Sequence, residues 1–255
     1  MKRNFLQKAI HNFWFGILII RHYKTWLLGF LDYFKFLKNK LIIHQLRNGA
    51  KYSVRTNSSD FGIINEIYIV KEYHRLLNYI NPDSTIIDIG AQIGVFSVFA
   101  AKIANKGKVF SFEPFEKNNL LLQKNVKLND LKNVVISKNA IARKSGSRQL
   151  TISKENSGGH SLFQEGDEKV KIETVTLKEV FDKNNIASCD FLKIDCEGAE
   201  YEILYNTPRE YLDKIKSITL EYHKNGDPKE LKGFLEKANF EVEIDKVAEL
   251  IYAWK

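Results

Sequence analysis

Apolar residues recur at helical spacing from the start of the chain: Leu6, Ile10, Phe13, Ile17 and Ile20, then Trp26 or Leu27, Phe30, Phe34 and Leu37. This pattern predicts two amphipathic helices joined near residues 21–25, the second weakened slightly by Gly29. Two β-like runs, 40–46 and 51–55, flank Asn48-Gly49, a dipeptide that tolerates the positive φ of a tight type I′ hairpin. Asp60 then reads as the cap of a helix running to about residue 78. The turn Asn81-Pro82-Asp83-Ser84 opens a second regime in which strands and helices alternate. Strands are predicted at 85–89, 108–112, 134–137, 149–153, 170–175, 190–194 and 217–222. Helices are predicted at 95–105, 116–129, 177–184, 199–205 and 229–238. Residues 240–244 and 249–254 read as a closing hairpin. Such alternation predicts an α/β fold with a mostly parallel, twisted sheet, helices on both faces and an antiparallel hairpin at the end. Three segments follow: a helical extension at 1–39, a hairpin-and-helix lead-in at 40–80, and the α/β domain at 81–255.

Charge separates the first segment from the rest. Residues 1–50 hold nine Lys or Arg against one acid, Asp32, and this +8 equals the formal charge of all 255 residues, so the remainder is neutral. The same fifty residues are rich in aromatic side chains. Their longest apolar run, residues 13–20, is too short for a bilayer, which needs roughly 20 residues. It also lacks the small-residue cleavage site of an export signal, so a cytoplasmic protein is expected. Basic residues mixed with Trp, Tyr and Phe suit three roles. They can pack on the rest of the chain or on a twin subunit, which would make a homo-oligomer. They can lie peripherally on an anionic inner-membrane surface. They can bind nucleic acid, which ranks last because the α/β domain is neutral. Cys189 and Cys196 form no metal-ligand spacing, and two thiols fit a reducing compartment.

The chemistry-bearing stretch begins at residues 86–94, a buried strand, Ile86-Ile87-Asp88-Ile89, followed by Gly90-Ala91-Gln92-Ile93-Gly94 and a helix. Gly90 and Gly94 allow the backbone to approach a ligand, and the helix start offers free N–H groups. The dinucleotide pattern G-x-G-x-x-G fails, because residue 92 is Gln and residue 95 is Val. D-x-G-x-x-x-G instead resembles the first motif of S-adenosyl-L-methionine (SAM)-dependent methyltransferases. A second hydrophobic strand ends in Glu113, 23 residues after Gly90, where an acid can accept hydrogen bonds from ribose hydroxyls or merely complement a helix dipole. Phe115 is a candidate to lie near an adenine. Asn139-Ala140, after the third strand, is a candidate for the adenine edge or simply a polar strand end.

Residues 190–200, DFLKIDCEGAE, carry Lys193 and Asp195 on one strand face by the period of two. Charges inside a central strand are costly without partners, which suits either a site or a salt bridge in the core. IIDIGAQIGVFSVFA, SFEP, DFLKIDCEGAE and ITLEYH, in this order, resemble the FkbM-like family of SAM-dependent methyltransferases over roughly residues 40–245. The resemblance implies a Rossmann-like class I methyltransferase fold and methyl transfer, usually to an oxygen, with sugars and other secondary metabolites prominent among acceptors. It implies SAM contacts at Asp88, Gly90, Gly94 and Glu113, beside which Ala91, Phe115, Asn139 and Ala140 are the other cofactor candidates. An alcohol acceptor needs its proton removed. Asp195 is the first candidate base. His223, with Glu221 as its orienting acid, is the second, and Lys193 and Glu197 are candidate substrate contacts. The spacing demands no metal. The acceptor is expected to be a small molecule or a glycan; the alternatives are an RNA or protein methyltransferase and a non-catalytic SAM-binding protein.

Overall fold

The structure, a computed structural model, describes residues 5–152, 160–162 and 168–255, with side chains from residue 13 onward. The expected strand end at Ser153, most of the loop that follows and the side chains of Leu6, Ile10 and His11 lie outside these residues. The chain divides into two compact units, Met1–Lys71 and Glu72–Lys255.

In the first unit, α1 (Phe5–His22) and α2 (Trp26–Tyr33) pack through small residues. Gly16 lies under the Phe30 ring and Gly29 against Ile19. Tyr23 is buried and donates to Asn65 Oδ1 at 2.8 Å, and buried Asp32 pairs with His44 at 3.1 Å. Strands β1 (Leu41–Gln45) and β2 (Lys51–Arg55) form the expected antiparallel hairpin, but not through a type I′ turn. Only Gly49 of the Asn48-Gly49 pair has positive φ, and Gly49 N–H donates to the Leu46 carbonyl while Leu46 N–H donates to Ala50. This is the longer loop in which a type I turn ends in one left-handed residue.

The single helix expected over 60–78 is three pieces. Helix α3 (Asp60–Asn65) passes into a π-turn at Glu66–Val70, and Lys71, at φ 65°, stops it. A 3-10 turn, His74–Tyr79, follows in the second unit. Wider and tighter turns carry side chains out of the 3.6-residue register that the apolar spacing assumed. Asp60 is the first helical residue and not the cap. Its carboxylate takes a bidentate pair from the Arg55 guanidinium, at 2.9 and 2.8 Å, a stronger interaction than a cap bond.

The second unit runs β3 (Thr85–Ile89), α4 (Val95–Ile103), β4 (Lys108–Phe112), α5 (Glu116–Leu128), β5 (Val134–Ser137), β6 (Ala140–Ile141), β7 (Gly146–Thr151), β8 (Lys169–Val175), α6 (Leu177–Lys183), β9 (Phe191–Ile194), α7 (Glu200–Tyr205), α8 (Arg209–Leu212), β10 (Ser217–Glu221), α9 (Pro228–Lys237), β11 (Glu241–Asp245) and β12 (Leu250–Trp254). Among the described residues, seven strands form one sheet in the order β11-β12-β10-β9-β3-β4-β5, and β6, β8 and β7 form a smaller one. Pairing is parallel from β10 to β5. Strand β12 runs antiparallel between β10 and β11, so the closing hairpin is built into the sheet.

Alternation sorts the strands into two faces. Ile87, Ile89, Phe110, Phe112, Leu192, Ile194, Ile218 and Leu220 join the core formed with α6 to α9. The opposite face carries a buried polar row in register, Ser111, Asp88, Lys193 and Thr219, with Ser97 of α4 bonded to Asp88 above it.

Gly94, at φ 83°, stands immediately before α4, and a Cβ there would lie 2.3 Å from Leu122 Cδ1 of α5. Gly94→Ala combines left-handed strain of about 1–2 kcal/mol with crowding of about 1–3 kcal/mol. Urea denaturation should show a loss of about 2–4 kcal/mol; an unchanged midpoint would contradict this packing.

Candidate functional site

The sheet order reverses at β3 and β9, which places a crevice at their carboxyl ends. Gly90 and Ala91 both donate backbone N–H to the Phe112 carbonyl, at 3.1 and 3.0 Å, and this folds the loop over the end of β4. Gly90 is required by the packing of the chain itself. A Cβ on it would stand 1.6 Å from the Asp195 carbonyl oxygen, so the space is filled by the chain itself. The same holds for Gly94, whose open side is taken by Leu122.

Beneath this loop, Lys193 is 4% exposed. Its Nζ donates to the Gly90 carbonyl at 2.8 Å and lies 3.3 Å from Asp88 and 3.4 Å from Asp195. Burial alone would push the Lys193 ammonium down, but the Asp88 and Asp195 carboxylates outweigh it and hold it protonated, well above the ordinary lysine range. Lys193 therefore ties β9 to the β3 loop, with its ammonium taken up by these three oxygens. Asp88 is also fully buried, with its other oxygen accepting from Ser97 at 2.5 Å. It supports the loop from below, because an unpaired charge at that depth would be intolerable.

Glu113 is turned back to the loop. Its two oxygens accept the Gln92 and Phe115 N–H groups, at 2.9 and 2.8 Å. Burial raises its carboxyl to about 7 against the lowering effect of those bonds and of Lys193. A carboxylate has about four acceptor positions, so two remain for a diol, and the donor set fits a ribose. Phe115 is half-buried, with its ring edge against His160 at 4.2 Å between centroids. Asn139 bonds to Ser137, and Ala140 is buried at the start of β6. Asn119 was not foreseen. It donates to the carbonyls of Glu113 and Ser137 and clamps the ends of β4 and β5.

Beside this loop, at the carboxyl ends of β9 and β10, the structure gathers Asp195, Glu197, Glu221 and His223. His223 Nε2 is 3.3 Å from Glu197 and 4.0 Å from Glu221. The close partner of Nδ1 is Glu200, at 3.1 Å. Glu200 is fully buried and also accepts the His223 and Gly198 N–H groups. Glu221 is thus not the orienting acid of His223; Glu200 is. Its only signal in the sequence was an acid in the first turn of α7. Burial works against the His223 cation, but Glu197 and Glu200 outweigh it and raise the ring to about 11. Held in its protonated form by Glu197 and Glu200, the ring favours a cationic over a proton-accepting role near neutral pH. Glu221 is raised to about 8, by burial first and then by the Asp195 charge.

A groove of about 570 Å³ opens here, lined in part by Glu197, Tyr222, His223, Asn225 and Glu249. Among the described residues no group of three or more His, Cys, Asp or Glu has a metal-ligand arrangement. Of the other histidines, His44 pairs with Asp32, His74 stacks on Phe99 and His22 bonds to Leu18. Both cysteines are free thiols.

A parallel sheet with an antiparallel strand inserted near one edge, a glycine loop after its first strand and an acid after its second define a Rossmann-like methyltransferase. The Methyltransferase FkbM domain matches residues 88–242, more than half of the chain, which therefore belongs to that family. Its methyl donor is SAM. Methyltransferase 1 of Beauveria bassiana (strain ARSEF 2860) is 24% identical over 186 residues, 64% of this chain and 75% of that protein. Hexuronic acid methyltransferase AglP of Haloferax volcanii is 26% identical over 175 residues, 68% of this chain and 70% of that protein. The solved structure of M. jannaschii TYW2 in complex with AdoMet aligns with a TM-score of 0.44 and 18% identity, covering 85% of this chain and 84% of that one.

A histidine raised from 6.5 to about 11 adds stability that is fully present below about pH 6.5 and lost as pH rises through about 11. A nitrogen-15 NMR titration should find the His223 ring doubly protonated at about pH 9. A ring already neutral there would undo this assignment.

Proposed function

We propose that this protein methylates a hydroxyl oxygen on a sugar, glycan or other small metabolite. The observation that carries the reading is the carboxylate cluster beside the groove, with Glu197, Glu200 and Glu221 around His223 and the Asp195 charge acting on Glu221. A carboxylate near neutral pKa is suited to take an alcohol proton as the oxygen attacks. The name of the Haloferax volcanii relative, a hexuronic acid methyltransferase, supports a sugar acceptor.

In this reading Glu113 receives the ribose hydroxyls of SAM. The backbone of residues 90–94 holds its amino acid portion, and Phe115, Asn139 and Ala140 flank the adenine. The bound sulfonium supplies an activated methyl group. Glu221 would accept the acceptor's hydroxyl proton as its oxygen bonds to the methyl carbon and the methyl–sulfur bond breaks, leaving S-adenosylhomocysteine, and would release the proton to solvent afterwards. Asp195 keeps Glu221 basic through its charge, and Glu197 and the imidazolium of His223 orient the acceptor in the groove. Alignment of oxygen and methyl supplies much of the rate.

The deciding assay combines methyl-labelled SAM with sugar acids and fractionated glycans. Glu221→Gln should lower kcat by about 10²–10⁴-fold with unchanged affinity for S-adenosylhomocysteine. Because the base works ionised, turnover should rise with pH up to about 8 and then level. Asp195→Asn should move that rise to lower pH; if it abolishes turnover while Glu221→Gln does not, Asp195 is the base. Label in no hydroxyl compound, but in RNA or protein, would refute the acceptor class.

Glu113 yields a separate expectation. The ribose hydroxyls donate to the ionised form, so protonation competes with binding. Affinity for S-adenosylhomocysteine should fall about tenfold from pH 8 to pH 6 by calorimetry, around the value of about 7. Glu113→Gln should weaken binding and remove that dependence; a wild-type affinity flat with pH would contradict the assignment.

A further inference from the structure

The first unit exposes large apolar side chains in an ordered pattern. On α1, Gly16 and Ile19 face inward and meet α2, and Tyr23 just past the helix end is buried as well. The opposite arc holds Phe13 at 65% exposure, Trp14 at 60%, Ile17 and Ile20, with Arg21 and Lys24 continuing it at the helix end. Phe13, Ile17 and Ile20 fall at helical spacing on one side. Trp26 and Leu27 of α2, Phe36, Leu41 and Ile43 are exposed as well.

Charge selects what covers this face. Over residues 13–50, Arg21, Lys24, Lys35, Lys38, Lys40 and Arg47 are exposed, while the one acid, Asp32, is buried against His44. A second copy meeting this face isologously would bring two such cationic segments together, with Glu66 as the one exposed acid among the described residues of the first unit to offset them. Bases could stack on Phe13, Trp14, Trp26 and Phe36, but the exposed aliphatic Ile17, Ile20, Leu27, Leu41 and Ile43 offer no ring, so nucleic acid leaves that part of the face unexplained. An apolar arc of Trp, Phe and Ile rimmed by Lys and Arg matches both properties of an anionic bilayer surface. Among the described residues no helix is long and apolar enough to cross a membrane, so the contact is interfacial.

We propose that α1 and the start of α2 form a peripheral docking surface for anionic lipid membranes. Phe13, Trp14, Ile17 and Ile20 enter the boundary between headgroups and acyl chains, and the lysines and arginines meet the headgroup phosphates. This assignment is independent of the methyl acceptor.

The test uses the full chain. It should co-sediment with phosphatidylcholine vesicles containing phosphatidylglycerol at least about tenfold more strongly than with phosphatidylcholine alone, and weaken as salt rises. The triple variant Phe13→Ser/Trp14→Ser/Ile17→Ser should lose about tenfold or more in binding with an unchanged melting curve, since all three positions are exposed. Arg21→Glu/Lys24→Glu should lower binding to anionic vesicles only. Failure to bind anionic vesicles overturns the proposal, as does binding unaffected by the triple variant. So does a lipid-free dimer that the triple variant dissociates, which would mean a second copy covers the face. Equal capture on RNA that ignores the triple variant would assign the charge to nucleic acid.

Discussion

Asp88 and Lys193 meet inside the sheet, on adjacent strands separated by more than a hundred residues of chain, and both are buried. A buried charge without its partner costs several kcal/mol, so each dictates the other. Lys193 also holds the Gly90 carbonyl, and the chain after Lys193 returns its Asp195 carbonyl to the space that Gly90 leaves open. The loop that shapes the crevice is therefore set from below by one ion pair and from the side by one backbone contact. Charges that look like reagents in the sequence serve here to hold geometry.

Above that floor, a shared environment drives acids and a histidine in the same direction. Burial raises Glu113 to about 7, and burial with the Asp195 charge raises Glu221 to about 8. Glu197 and Glu200 raise His223 to about 11 in spite of its burial. A crowd of carboxylates favours any bound proton, whether it neutralises an acid or charges an imidazole. The result is a fixed cation beside an acid whose basicity is tuned to neutral pH, a useful combination for drawing a proton from a weakly acidic hydroxyl.

The two units carry their charge differently. The excess positive charge lies in the first fifty residues, whereas the site described above is lined by acids.

Periodicity in the sequence sufficed for the parallel α/β sheet, because strands and helices of ordinary length bury a regular face, and β3, β4 and the turn at Gly90 stood where their pattern put them. It also put Glu113, Asp195, Glu197, Glu221 and His223 at or just beyond the carboxyl ends of the parallel strands β4, β9 and β10, which is where they stand. It could not expose the two-residue β6, the four-residue α8 or the π-turn before Lys71, which are too short or too irregular to have a period. Nor could it divide labour among the charged residues. Whether Lys193 faces a substrate or Asp88, and whether His223 is oriented by Glu221 or by Glu200, depends on ångström distances between segments far apart in the chain. Those distances set burial and Coulomb interaction, and only the assembled sheet brings them into being.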